Sequence, residues 1–470
     1  MMCTLKEIWG FILENKTASA ITFFSLLFAV FVWLLSIYQR RKDAIQRQKD
    51  AKLEEERFQE LLQQIKLIQP KDASESLKEE VKTAEEKITK PITSDDFFLK
   101  GYAKQIDENY DKAIEYFQKV IVLTPNFAEA YNNIGIAYSE NNNYVKAIQY
   151  FEKSIEQRPD FALAYYNLGV VYSKSNNNDK AIQNYEKTIE LNPDFALAYY
   201  NLGVEYSKKG NLNRVIQYCE KAIELKLDYA EAYNNLGLAY YEKGNSDKAI
   251  QCYEKAIALK SDYAIAYYNL GNAYSEHNYD KAIQCYEKTV ELTPDNVMVY
   301  NNLGLVYYDK GDADKAIQCY EKSIELKYDG SASYYNMGNV YFDNRNFDKA
   351  IQCYEKAVEF EDSTATYYNL GYAYFIVGNY DKAIQCYEKT IELNPNYAEA
   401  YNGMANVYIT KKDFDKAIQC YEKAIELNPN FIEAYHNMGV IYQNTGNQEK
   451  AIDCFLKVNA MITKTNENRK

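Results

Sequence analysis

Asparagine recurs at one register of this chain: Asn133, Asn167, Asn201, Asn235, Asn269, Asn302, Asn336, Asn369 and Asn437, with Gly403 where a tenth would stand. A carboxamide carries a donor and an acceptor together, so a row of them can pair with the backbone of an extended peptide whatever its side chains are. The same row can instead serve hydrogen bonds inside the protein. The residue before each is mostly Asn or Tyr, the tyrosines being Tyr166, Tyr200, Tyr268, Tyr335 and Tyr368, and His436 is the odd one out. A phenol offers large contact area at low entropy cost and keeps a hydroxyl for pairing. Other chemistry is hard to assemble. The two histidines, His277 and His436, lie far apart in the chain, and there is no Gly-rich phosphate loop and no C-x-x-C pair. No catalytic residue, metal site or cofactor is expected.

The elements that must carry the row follow from its spacing. From Ser94 onward one sentence repeats about every 34 residues, clearest in AEAYNNLGLAYYEKGNSDKAIQCYEKAIALKSDY from Ala230 to Tyr263. Its first half sets Ala232, Tyr233, Leu236, Gly237 and Tyr240 at helical spacing, and its second half does so with Ala249, Tyr253, Ala256 and Ile257. Between them Lys243-Gly244-Asn245-Ser246-Asp247 supplies a residue tolerant of positive φ and then capping side chains, so two amphipathic helices fold back on each other. A period of this length predicts an all-α solenoid, in which each unit buries its apolar face by stacking on its neighbours.

This pattern resembles the tetratricopeptide repeat (TPR) family, with a bulky aromatic at position 4, Leu-Gly at 7 and 8, Tyr at 11, Ala at 20, an aromatic at 24, Ala at 27 and Pro at 32. Counted so, about eleven repeats start at Ser94, Ala128, Ala162, Ala196, Ala230, Ala264, Val297, Ser331, Thr364, Ala398 and Ile432. The resemblance implies an α-α superhelix whose concave groove is lined by first-helix positions 2, 5, 6, 9, 12 and 13, which places the asparagines at 6 and the tyrosines at 5. The ladder looks like that in the TPR arm of the O-linked N-acetylglucosamine transferases. The lysines of the carboxylate clamp of chaperone-binding TPR proteins are missing: position 2 is Glu129, Leu163, Leu197, Glu231, Ile265, Met298, Ala332, Ala365, Glu399 and Glu433.

Composition bounds the partners. A net charge of −13 argues against nucleic acid, which calls for a basic stripe. Residues 18–38, ASAITFFSLLFAVFVWLLSIY, carry no charge and would span about 31 Å as a helix, which reads as one transmembrane helix after a short tail at 1–17. Arg40, Arg41, Lys42, Arg47 and Lys49 follow it, so the repeats are expected on the cytosolic side of a single-pass membrane protein. Seven of the nine cysteines share one second-helix position, too far apart to pair, and are expected as free thiols.

Residues 39–93 read as a charged helical stalk. Phe58, Leu61, Ile65 and Ile68, then Leu77, Val81, Ala84 and Ile88 behind a capping box at Ser76 and Glu79, either pack on the first repeat or form a short coiled coil with a second copy. The array is expected over 94–462, followed by a polar tail at 463–470, and an uncovered last helix would leave room for homo-oligomers. The function expected is a membrane-anchored scaffold or receptor that binds partner proteins or extended peptides in the groove, the alternative being a recognition arm for a separate enzyme.

Overall fold

Tyr253 and Gly237 show how one unit closes. Tyr253 is 1% exposed, and a methyl added at Gly237 would lie 2.7 Å from its Cε1, so the first helix touches the second through a glycine with a phenol laid across it. Ala249, Tyr253 and Ala256, at 4-3 spacing, are all buried, and the small alanines let the neighbouring helix approach. The turn is made as its residues require. Gly244 takes φ +74°, its N–H and that of Asn245 donate back to the carbonyls of Tyr241 and Tyr240 at 2.8 and 2.9 Å, and the Asn245 side chain caps the next helix by accepting from the Lys248 N–H.

The computed structural model describes residues 20–326 and 330–467, with side chains from 27 to 463 within those ranges. Among the described residues it is all-α, with 24 α-helices, one 3₁₀ turn and no strand. From Ser94 on the helices pair as Ala230–Glu242 does with Ser246–Leu259. They fall into two compact units, one up to Glu205 and one from Tyr206 onward. Glu108, Asn142, Asn176, Arg345 and Lys412 take the left-handed turn position elsewhere held by glycine. The turn at Glu276-His277-Asn278 is one residue shorter than the others and has no left-handed residue.

Four helices open the first unit: α1 Ala20–Leu67, α2 Glu75–Lys87, α3 Ser94–Ile106 and α4 Tyr110–Leu123. Leu61, Leu62 and Ile65 of α1 and Leu77 and Val81 of α2 share one apolar core with Phe98, Leu99 and Tyr102 of α3. The stalk therefore packs on the first repeat within the chain. Ion pairs edge this contact, Lys66 to Asp95 at 3.4 Å and Lys104 to Glu85 at 2.9 Å. The α2 cap is Ser74, which accepts from the Leu77 N–H, and not Ser76; the two-way capping box sits on α3 at Thr93 and Asp96.

The expected membrane span, and with it the placement as a single-pass membrane protein with cytosolic repeats, is corrected here. Among the described residues no helix is long and apolar enough to cross a membrane. The apolar segment forms no helix of its own: α1 runs unbroken from Ala20 through the charged stretch to Leu67. The tail at 1–17 and the start of the expected span lie outside the described residues. At the other end the last helix runs Gln448–Glu467, past the expected stop at Ile462, because no glycine or proline ends it.

Candidate peptide-binding groove

In the unit that begins at Tyr206, the first helices 264–275, 297–309, 331–343 and 364–376 each present one asparagine of the row. Each amide nitrogen reaches back to the preceding repeat. Asn269 donates to Asn234 Oδ1 at 3.0 Å and Asn336 to Asn301 Oδ1 at 3.1 Å. Where the residue at position 5 is tyrosine its hydroxyl takes the same bond, from Asn302 to Tyr268 at 3.0 Å and from Asn369 to Tyr335 at 3.2 Å. This explains why position 5 accepts only two main residue types: both put an acceptor where the next asparagine donates.

A second row supports the first. Asn302 and Asn369 also donate to Asn272 and Asn339, at 3.1 and 3.2 Å, and those asparagines accept in turn from the Tyr286 and Tyr354 hydroxyls at 2.6 and 2.7 Å. Asn437 is held the same way, by Asn406 and Tyr421 at 3.3 Å each. Burial pushes the phenols of Tyr286, Tyr354 and Tyr421 well above the ordinary range, so they stay protonated donors. Tyr368, half-buried beside Tyr397, is pushed up to about 12 by burial and by that neighbour. With their nitrogens committed, Asn269, Asn302, Asn336 and Asn369 keep a carbonyl oxygen that has no partner among the described residues. The result is a row of acceptors fixed in direction.

The row is interrupted at Gly403 for a steric reason. A Cβ there would lie 2.7 Å from Tyr387 Cζ, so the tenth repeat has no room for asparagine. Asn402 beside it is buried, and its Oδ1 has no partner among the described residues. Asn235 is half-buried, with Asn234 Nδ2 3.5 Å from its Oδ1.

In the unit ending at Glu205 two members of the row are more deeply buried, while Asn201 is half-buried. Asn133 and Asn167 are each 5% exposed. Asn167 donates to Asn132 at 2.9 Å and Asn201 to the Tyr166 hydroxyl at 3.3 Å, the bonds seen in the other unit. Burial pushes Tyr166 up to about 12, which the bond from Asn201 partly offsets. Tyr200 is half-buried. The difference lies at the Asn167 oxygen. Gln69, just after α1 and 4% exposed, donates its amide to Asn167 Oδ1 at 2.5 Å, and Tyr102 donates to the Ile68 carbonyl at 2.9 Å. The segment around Gln69-Pro70 is thus laid on the asparagine row by the chain itself.

Family models described as tetratricopeptide repeat match residues 128–161, 162–195, 196–229 and 331–363, residues 262–329 and 362–430, and residues 218–251 and 420–453. One described as TPR repeat adds 106–142 and 237–278. The chain belongs to the tetratricopeptide repeat family. This TPR chain is similar to the crystal structure of MamA protein, at 34% identity over 35% of this chain and 91% of that one, with a TM-score of 0.33. It is similar to YrrB, described as a TPR protein with an unusual peptide-binding site, at 26% identity over 40% and 98%, TM-score 0.36. It is also similar to the APC/C hetero-tetramer Cut9–Hcn1, at 13% identity over 81% and 96%, TM-score 0.39. No curated protein matches the chain.

Several TPR positions that matter were not singled out by sequence reasoning. Asn272, Asn339 and Asn406 stand at position 9 of the sixth, eighth and tenth repeats, and that alternation was the available signal. Glu205 breaks the otherwise apolar position-10 column of Ala137, Val171, Ala239 and Ala273; it is 1% exposed and accepts from the Ser173 hydroxyl. The cysteines from Cys219 to Cys454 are free. Burial pushes the thiols of Cys252, Cys285 and Cys319 up to about 11, which keeps them protonated and poorly nucleophilic.

Proposed function

We propose that this TPR protein is a binding scaffold that holds an extended segment of a partner protein along the asparagine row of the unit from Tyr206 onward. The observation that carries this reading is the set of committed nitrogens and open oxygens at Asn269, Asn302, Asn336 and Asn369. Carbonyl oxygens held in place by their own nitrogens accept peptide N–H groups without first having to be ordered, which lowers the entropy lost on binding. Repeats about 10 Å apart would meet about every third residue of a strand that rises about 3.3 Å per residue. Gln69 supplies a precedent inside the chain, since an amide from outside the repeats takes the Asn167 oxygen of the same row. The array is read as about eleven such repeats.

The test is selection of binding peptides on the full chain, followed by Asn269→Ala, Asn302→Ala, Asn336→Ala and Asn369→Ala together. Loss of the selected peptides with unchanged helical content is expected. Retained affinity would remove the row from the binding surface.

A further inference from the structure

Carboxylates close the first helices of four successive repeats: Glu242, Asp309 and Asp343 are the last helical residues, and Glu276 is the C-cap. The negative end of a helix dipole disfavours acids there. Among the described residues none of the four has a lysine or arginine partner. The lysines next in sequence turn elsewhere, Lys310 to Asp280 at 2.6 Å and Lys243 to Asn213 at 2.8 Å.

At the end of this strip the acid meets aromatic faces in a cavity. Tyr308, Phe342, Asp343 and Tyr372 line a space of about 370 Å³ together with Asn369 of the ladder and Asn339 of the second row. Tyr308 donates its hydroxyl to Asp343, which fixes the carboxylate, and the Phe342 and Tyr372 rings stand 5.5 Å apart at 36°. Aromatic faces joined to an unneutralised carboxylate suit one kind of guest, a cation on an apolar stem. One repeat upstream a second group waits for a partner. Tyr320 is fully buried and its hydroxyl has no hydrogen bond among the described residues, because Leu305 stands where Asn272 and Asn339 receive Tyr286 and Tyr354. Burial pushes its phenol up, and the nearby Asp309 carboxylate adds to that.

Resting on the reading of the ladder as a peptide groove, we infer that the partner segment is basic: it places a lysine or arginine side chain in the pocket of Tyr308, Phe342, Asp343 and Tyr372 while its backbone follows the asparagines. The chain's net charge of −13 favours the encounter. The position-13 strip then selects partners by charge, and the asparagines hold whatever backbone arrives.

The test uses the full chain and two synthetic peptides, one with lysine at every third residue and one with norleucine in its place, followed by fluorescence anisotropy at low and high salt. The lysine peptide is expected to bind on the order of tenfold tighter, with the margin shrinking in salt. Asp309→Asn with Asp343→Asn should erase that margin, and Tyr372→Ala should reduce it. Asp381→Asn, which removes a carboxylate paired to Lys411 elsewhere, should leave it intact. Folding is not at stake, since neutral residues suit helix C-termini better than acids do. Equal binding of the two peptides, or an equal loss with Asp381→Asn, overturns the inference. If the ladder alanines abolish binding of both peptides while the acid variants change nothing, the groove stands and the basic partner falls. If neither set of variants changes binding, both fall.

Discussion

The two units carry the same asparagine row in different states. In the unit ending at Glu205, the Asn167 oxygen is taken by Gln69 and Asn133 is buried. In the unit from Tyr206 onward, the oxygens of Asn269, Asn302, Asn336 and Asn369 have no partner among the described residues. The nitrogen bonds are alike, from Asn167 to Asn132 in one and from Asn269 to Asn234 in the other. The repeat therefore fixes how each side chain is held, and what lies against it is decided by sequence outside the repeat. A chain turn at Gln69-Pro70, anchored by Leu62 and Ile65 in the core of α1 to α3, is enough to occupy one stretch.

The largest expected effect separates the units by alkaline pH. Burial pushes seven thiols of the second unit, Cys219 to Cys420, up to about 11 or 12. A raised pKa contributes stability that is complete below the unfolded value near 9 and is lost as pH rises through 11 to 12. Hydrogen exchange with rising pH should show the second unit loosening more than the first, in which no described residue is cysteine. Equal loosening would mean that the thiols do not govern it.

Leu62→Ala should cost about 2–5 kcal/mol and act on the first unit, since Leu62 is 0% exposed in the core that seats the stalk. Urea unfolding read with hydrogen exchange would localise the loss. Its counterpart in the second unit is Gly304→Ala, where the new methyl would lie 2.6 Å from Tyr320 Cε1 and cost about 1–3 kcal/mol. Gln69→Ala should cost about 1 kcal/mol and open the Asn167 oxygen, so a selected peptide should gain a weak second site in titration. The smallest effect is a gain: Arg345→Gly relieves a left-handed residue at φ 58° and should stabilise by about 0.5–1 kcal/mol in thermal melts.

Much of the fold was legible because it follows from local rules. Gly244 and Asn245 announce their turn, and Ala249, Tyr253 and Ala256 their buried face. The asparagine register was legible too, but its bonding was not, because Asn302 reaches Tyr268 and Asn272 in the preceding repeat, a relation that appears only once the helices are stacked. Position 13 was named as groove-lining but its acids went unread, although they carried a sign in the sequence, since acids at helix C-termini such as Asp309 and Asp343 run against the dipole. The transmembrane expectation is overturned because no helix among the described residues is long and apolar enough to cross a membrane.

The central claim is that the open ladder of the second unit is where a partner lies. Hydrogen exchange on the full chain with a selected peptide bound tests it most directly. Protection is predicted in the first helices 264–275, 297–309, 331–343 and 364–376, with little change in the helices that follow each of them. Protection confined to those second helices, or to the unit ending at Glu205, would contradict it.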